Sequence, residues 1–154
     1  MALIQWSGAM SVGLKELDED HKQLIKVINQ LAENVERARP DVVRQCLMTL
    51  RRYAEFHFAR EESVMTACAF PGIDVQRNEH GEFIARIREA TEQFDEDPGQ
   101  TSKGLGEELL VFLKEWLSHH ILIEDMAYRP FVEHSAEAQE AARSFQAAEV
   151  WWSR

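Results

Sequence analysis

Between Val43 and Val64 the apolar residues fall at Val43, Leu47, Leu50, Ala54 and Val64, the i, i+3, i+4, i+7 spacing of one buried helix face. That same face carries His57 and Glu61 in its middle, four residues apart. A carboxylate in a core needs a partner, because stripping water from an isolated charge costs more than folding can supply. Either His57 satisfies it by a hydrogen bond, or a metal ion takes both side chains.

Three further segments share the helical period, and nothing reads as a strand. The first runs from about Asp18 to Arg37 with Leu17, His21, Leu24, Ile28, Leu31 and Val35 in line. The second starts at Pro40-Asp41, with Pro in the turn and Asp as a cap, and ends near Met65. Ala69-Phe70-Pro71-Gly72 marks a turn. The third starts near Asp74, aligns Ile73, Gln76, His80, Phe83, Ile87 and Phe94, and stops before the loop-like run from Asp97 to Ser102. The fourth spans about Lys103 to Tyr128, aligns Leu109, Leu113, Trp116, His120 and Ile123, and is closed by Pro130.

Short connections between four helices of similar length predict an all-α fold, an antiparallel up-down-up-down four-helix bundle. An Ala/Glu/Gln-rich stretch from Ser135 to Trp152 adds a short C-terminal helix, which divides the chain into a bundle (1–134) and a helical extension (135–154). Trp151 and Trp152 either dock on the bundle, the expected outcome for aromatics, or offer a patch to a protein partner or a second copy.

A chain of 154 residues is long enough for one domain with a real core. Its 17 Lys and Arg against 27 Asp and Glu give a net charge of −10, which argues against nucleic acid and anionic membrane surfaces as partners. No signal peptide or membrane span is expected. Cys46 and Cys68 lie on one predicted helix and its end, about 33 Å apart at 1.5 Å per residue, far beyond disulfide reach. Two reduced thiols without a CxxC pair point to the cytoplasm and away from thiolate zinc.

His21, His57 with Glu61, Gln76 with His80, and His120 each interrupt the apolar stripe of a different helix, near its middle. One core histidine is ordinarily a hydrogen-bonded structural residue. Four helices contributing polar groups at similar depth make a metal site in the bundle core the stronger explanation. Imidazole with carboxylate suits iron, zinc or manganese. Both Glu-x-x-His and His-Glu-x-x-His are absent, leaving a site rich in histidine and poor in carboxylate. On helix four His120 lies in line with Trp116 and Leu113, whereas His119 and His134 read as surface residues. Periodicity favours Glu124, at i+4, as the partner of His120, because Asp125, at i+5, is rotated by about 140° on an ideal helix. The residues alone leave that choice open.

Asp18 before His21, Ile28-Asn29, Tyr53, His57-Phe58, Glu61-Glu62, Met65, Phe70-Pro71, His80, Phe83, Trp116-Leu117, His120-Ile121 and Asp125 together resemble the hemerythrins, and within them the single-domain bacteriohemerythrins, over about Trp6 to Phe131. The resemblance implies two iron ions, oxo- or hydroxo-bridged, that bind dioxygen reversibly. It implies that Glu61 and Asp125 bridge the irons, that His21 and His57 hold the iron with an open position, and that His80 and His120 hold the other. Leu24, Phe58, Trp116, Leu117 and Ile121 match positions that line the family's ligand pocket. A water-poor pocket suits that role, because water would protonate and release reduced oxygen.

The third helix departs from the family pattern. His-x-x-x-His is expected there, and Gln76 takes the first position. Gln offers only a neutral amide oxygen, a weaker ligand for ferrous iron than imidazole. The leading expectation is therefore oxygen carriage, storage or sensing without turnover. The alternative is a di-iron redox enzyme acting on dioxygen, peroxide or nitric oxide at an under-ligated second iron.

Overall fold

A computed structural model describes residues 2–98 and 104–145. Four long helical stretches form the bundle: α1 (Lys15–Glu36), α2 (Pro40–Ala67), α3 (Ile73–Glu96), and α4 (Gly104–His119), which continues without a break through a π-helical segment (His120–Asp125) into α5 (Met126–Val132). A short α6 (Ala136–Ser144) follows. α1 packs beside α2 and α4, and α3 packs beside the same two, as an up-down-up-down bundle requires. Among the described residues there is no strand, and no helix long and apolar enough to cross a membrane.

The stripes read from the sequence are the buried faces. Leu17, Leu24, Ile28, Leu31, Leu47, Leu50, Phe83, Ile87, Leu109 and Leu113 are all at most 1% exposed. Ile123 is the exception at 57% exposed, because the π turn rotates the chain after His120 and carries the residue three positions on to the outside.

Two helix ends differ from expectation. Pro40 occupies the first helical position of α2, where its missing N–H costs nothing, and Asp41 sits inside the first turn rather than at the cap. Asp41 therefore acts through its charge near the positive helix end. Pro130 lies within α5, and the helix runs two residues past it to Val132, its fixed φ being compatible with helix. α1 and α2 both end in Schellman motifs whose left-handed residue is alanine. Ala38 (φ 51°) is followed by Arg39 N–H donating to Asn34 C=O, and Ala69 (φ 55°) by Phe70 N–H donating to Met65 C=O.

The N-terminal arm is clipped to α1 by Asn29, whose side chain accepts from the Ile4 amide at 3.0 Å and donates to its carbonyl at 2.9 Å. Asp18 accepts from the Ser11 hydroxyl and the Val12 amide, which fixes the entry into α1. At the other end Ser135 caps α6 by accepting from the Ala138 amide. α6 lies against α2 with Ala138 and Ala142 fully buried, small side chains that permit close approach. Phe145 meets Phe56 edge-on. Trp151 and Trp152 lie outside the described residues. Cys46 and Cys68 are free thiols, as expected from their separation.

The core divides into two apolar clusters. The larger holds Leu24, Ile28, Leu47, Leu50, Phe58, Phe83, Ile87, Leu113, Leu117 and Ile121, and the smaller Leu17, Val64, Met65, Phe70, Tyr128, Val132 and Ala138. Between them lies a layer of polar side chains.

Candidate metal centre

His21, His57, Glu61, Gln76, His80, His120 and Asp125 make up that layer, each at most 3% exposed. α1 supplies His21, α2 supplies His57 and Glu61 one turn apart, α3 supplies Gln76 and His80 one turn apart, and the π segment supplies both His120 and Asp125. The structure brings these seven side chains together, and of the two acidic candidates on helix four it sets Asp125, not Glu124, beside His120. A π turn takes five residues where an α turn takes four, so it brings Asp125 under His120, with Oδ1 3.0 Å from Nε2. Glu124 is turned outward onto His119, at 3.4 Å. His119 and His134 are exposed.

Glu61 stands at the centre. Its Oε2 lies 3.2 Å from His57 Nε2 and 3.6 Å from His21 Nε2. Its Oε1 lies 2.8 Å from His80 Nε2 and 3.3 Å from His120 Nε2. Asp125 repeats the arrangement, with Oδ2 3.2 Å from His21 Nε2 and Oδ1 3.0 Å from His120 Nε2. Two potential metal-binding groups result, His21/His57/Glu61 and Glu61/His80/His120, joined at one carboxylate.

The imidazoles are aimed from behind. His57 Nδ1 is 3.1 Å from Asp20, which Arg60 approaches, and His80 Nδ1 is 2.9 Å from Glu62, itself paired with Arg77. Such carboxylates hold the Nδ1 proton and leave Nε2 free to ligate. Phe58 stacks parallel on His80 at 4.0 Å, and Trp116 on His120 at 4.5 Å. Leu24, Phe58, Leu117 and Ile121 belong to the larger apolar cluster and Trp116 packs against it, so the five expected pocket residues lie on one side of the polar layer. On the other side the Tyr128 hydroxyl donates to Glu61 Oε2 at 2.9 Å. Asp20 and Tyr128 escaped the sequence reading. Tyr128 would have emerged by counting three residues on from Asp125 in the register that the π turn resets.

Gln76 also points into the layer. Its Nε2 donates to Asp125 Oδ1 at 3.1 Å, while its Oε1 is buried without a partner. The lining is electrostatically tense. Burial opposes charge on His21, but the Asp125 and Glu61 carboxylates outweigh it and push the imidazole up to about 9. His80 and His120 are raised by the same balance. Burial likewise opposes charge on Glu61, yet His57, His120 and His21 hold its carboxyl well below the usual range. Burial and two nearby carboxylates keep the Tyr128 phenol protonated, far above its ordinary range.

These residues fit metal ions. His21 Nε2, His57 Nε2 and Asp125 Oδ2 are buried without hydrogen-bond partners, and all face the centre of the layer. Two imidazole nitrogens, on His80 and His120, stand 3.2 Å apart. Cations placed among these atoms would satisfy the orphaned lone pairs and balance the two carboxylates, which no neutral packing does.

The same picture comes from comparison with known proteins. Residues 12–132 match the family described as the hemerythrin HHE cation binding domain. A bacteriohemerythrin of Stenotrophomonas maltophilia is 28% identical over 95% of this chain and 91% of its own length. A bacteriohemerythrin of Ralstonia nicotianae is 31% identical, covering 81% and 85%. A myohemerythrin of Riftia pachyptila is also 31% identical, covering 80% and 89%. The crystal structure of a hemerythrin point variant superposes with a TM-score of 0.77 at 21% identity over 86% of this chain and 99% of that one, a likeness of fold. With a bundle of this topology, a buried histidine–carboxylate layer and a family match over most of its length, the chain belongs to the hemerythrin family.

Proposed function

We propose that this protein is a non-haem di-iron protein that binds dioxygen reversibly, for carriage, storage or sensing. The observation that carries the reading is the position of Glu61, with one carboxylate oxygen facing His21 and His57 and the other facing His80 and His120. His21 and His57 would hold one iron, and His80 and His120 the other. Glu61 and Asp125 would be shared, with Gln76 beside the second. Held there, two irons would supply the redox chemistry for reversible dioxygen binding.

The chain's own residues set the conditions for that. Asp20 and Glu62 hold the Nδ1 protons of His57 and His80, which keeps each Nε2 available. Leu24, Phe58, Trp116, Leu117 and Ile121 exclude water on the side of the larger cluster, so no proton donor reaches a bound ligand from there. Tyr128, still protonated, donates to the shared carboxylate from the opposite side. Residues 1–134 would make the binding bundle and 135–154 an extension, whose helix α6 lies against α2. Two free thiols fit a reducing, cytoplasmic setting.

Metal analysis together with visible spectra after adding oxygen to the reduced protein tests the reading. Two irons per chain and an oxygen-dependent band that vanishes under vacuum are expected. A band that decays at once to the ferric state would make the protein a di-iron redox enzyme. One iron, or zinc, would overturn both.

A further inference from the structure

The π turn that brings Asp125 under His120 acts on the neighbouring pair too. It brings Glu124 under His119, also five residues apart, with Nε2 3.4 Å from Oε1. Glu79 on α3 reaches the same spot, and one ligand atom from each of the three lies within 4.8 Å of the others. The cluster is half open, with side chains 20% exposed at Glu79, 57% at His119 and 28% at Glu124. Among the described residues neither glutamate is paired with a lysine or arginine. The two carboxylates crowd each other instead.

A second observation comes from the buried side. His120 is 1% exposed and its Nδ1 has no hydrogen-bond partner. That atom faces Glu79, whose Oε1 is 3.9 Å away, and Glu79 Oε2 is itself buried without a partner. The Nδ1 atoms of His57 and His80 have carboxylates at 3.1 and 2.9 Å, whereas Glu79 stands 3.9 Å off from His120. We propose that Glu79, His119 and Glu124 form an outer site for one divalent transition-metal ion, separate from the buried centre and touching it only through Glu79 and His120.

One imidazole and two carboxylates suit Zn²⁺, Mn²⁺ or Fe²⁺ better than the oxygen-only preference of Ca²⁺ or Mg²⁺. Ligand distances of about 2.0–2.2 Å need only small rotations of half-exposed side chains, and water fills the remaining positions. The site rests on this cluster and not on the dioxygen reading.

Zinc titration by isothermal calorimetry, on protein loaded with iron and of measured iron content, tests it. One saturable Zn²⁺ per chain is expected, with affinity at least tenfold weaker in His119→Ala and in Glu124→Gln. Iron content should be unchanged in both variants, which separates this site from the buried one. No saturable zinc in the parent protein, or an affinity unaltered in both variants, would overturn the proposal.

Discussion

Asp125 Oδ1 lies 3.0 Å from His120 Nε2 although the two residues are five apart along one continuous helical stretch. Only a π turn gives that alignment, and it also places Asp125 Oδ2 against His21 on α1. Asp125 is thus expected to matter for metal retention, whereas its neighbour Glu124 is not. Asp125→Asn should leave fewer than two irons per chain after desalting, and Glu124→Gln should retain both. Metal analysis of the two variants side by side checks this.

Tyr128 is the only hydroxyl donor on Glu61 among the described residues, at 2.9 Å, and both groups are fully buried. Tyr128→Phe removes the donor without leaving a large cavity. A hydrogen bond to a charged, buried acceptor contributes about 1.5–3 kcal/mol. The metal-free variant should lose stability of about that size in urea denaturation, with an unchanged m-value. The loss should shrink in the iron-loaded protein, where a cation shares the charge of Glu61.

Most of the bundle and six of its polar centre residues were legible in the sequence, because a 3.6-residue stripe interrupted by His or Glu is informative wherever the helix is regular. What escaped did so where the helix is irregular. The pairing of His120 with Asp125 and not Glu124 rests on a π turn that no residue pattern announces, and Tyr128 was lost with the same register. The same turn exposes Ile123, which an unbroken α-helix would bury. Asp20 was hidden because it lies beside His21 on α1 but serves His57 on α2, a cross-helix relation with no sequence period.

Gln76 lies one turn before His80 on the buried face of α3, and its Oε1 is buried without a partner. Gln76→His would place His-x-x-x-His on that face of α3. We expect firmer retention of the second iron and a longer lifetime of the oxygenated protein, followed by stopped-flow absorbance. Equal lifetimes in the parent and the variant would show that an amide at this position does not limit oxygen binding.

Metal must displace protons here. His21 is pushed up to about 9, and His80 and His120 are raised, so at pH 7 the metal-free centre carries imidazolium that must deprotonate on ligation. Loading at pH 7 should release protons, seen as a calorimetric heat that changes with buffer ionisation enthalpy. In the metal-free protein the raised His21 contributes stability fully below the unfolded value of about 6.5, and loses it as pH rises through 9. Its melting temperature should therefore fall between pH 6.5 and 9, while that of the iron-loaded protein changes less.

The alanines that end α1 and α2 offer a prediction independent of metal. Ala38 and Ala69 sit at φ 51° and 55°, in the left-handed region that costs an L-residue about 1–2 kcal/mol. Glycine adopts that conformation freely but loses about 0.5–1 kcal/mol more backbone entropy on folding. The first effect outweighs the second, so Ala38→Gly and Ala69→Gly should each stabilise the protein by about 0.5–1 kcal/mol. The sites are at opposite ends of α2, so the double variant should show the sum, because distant substitutions add. Urea denaturation of the three variants checks both size and additivity. A loss of stability in either single variant would mean that the alanine methyl, and not the backbone angle, decides how that helix ends.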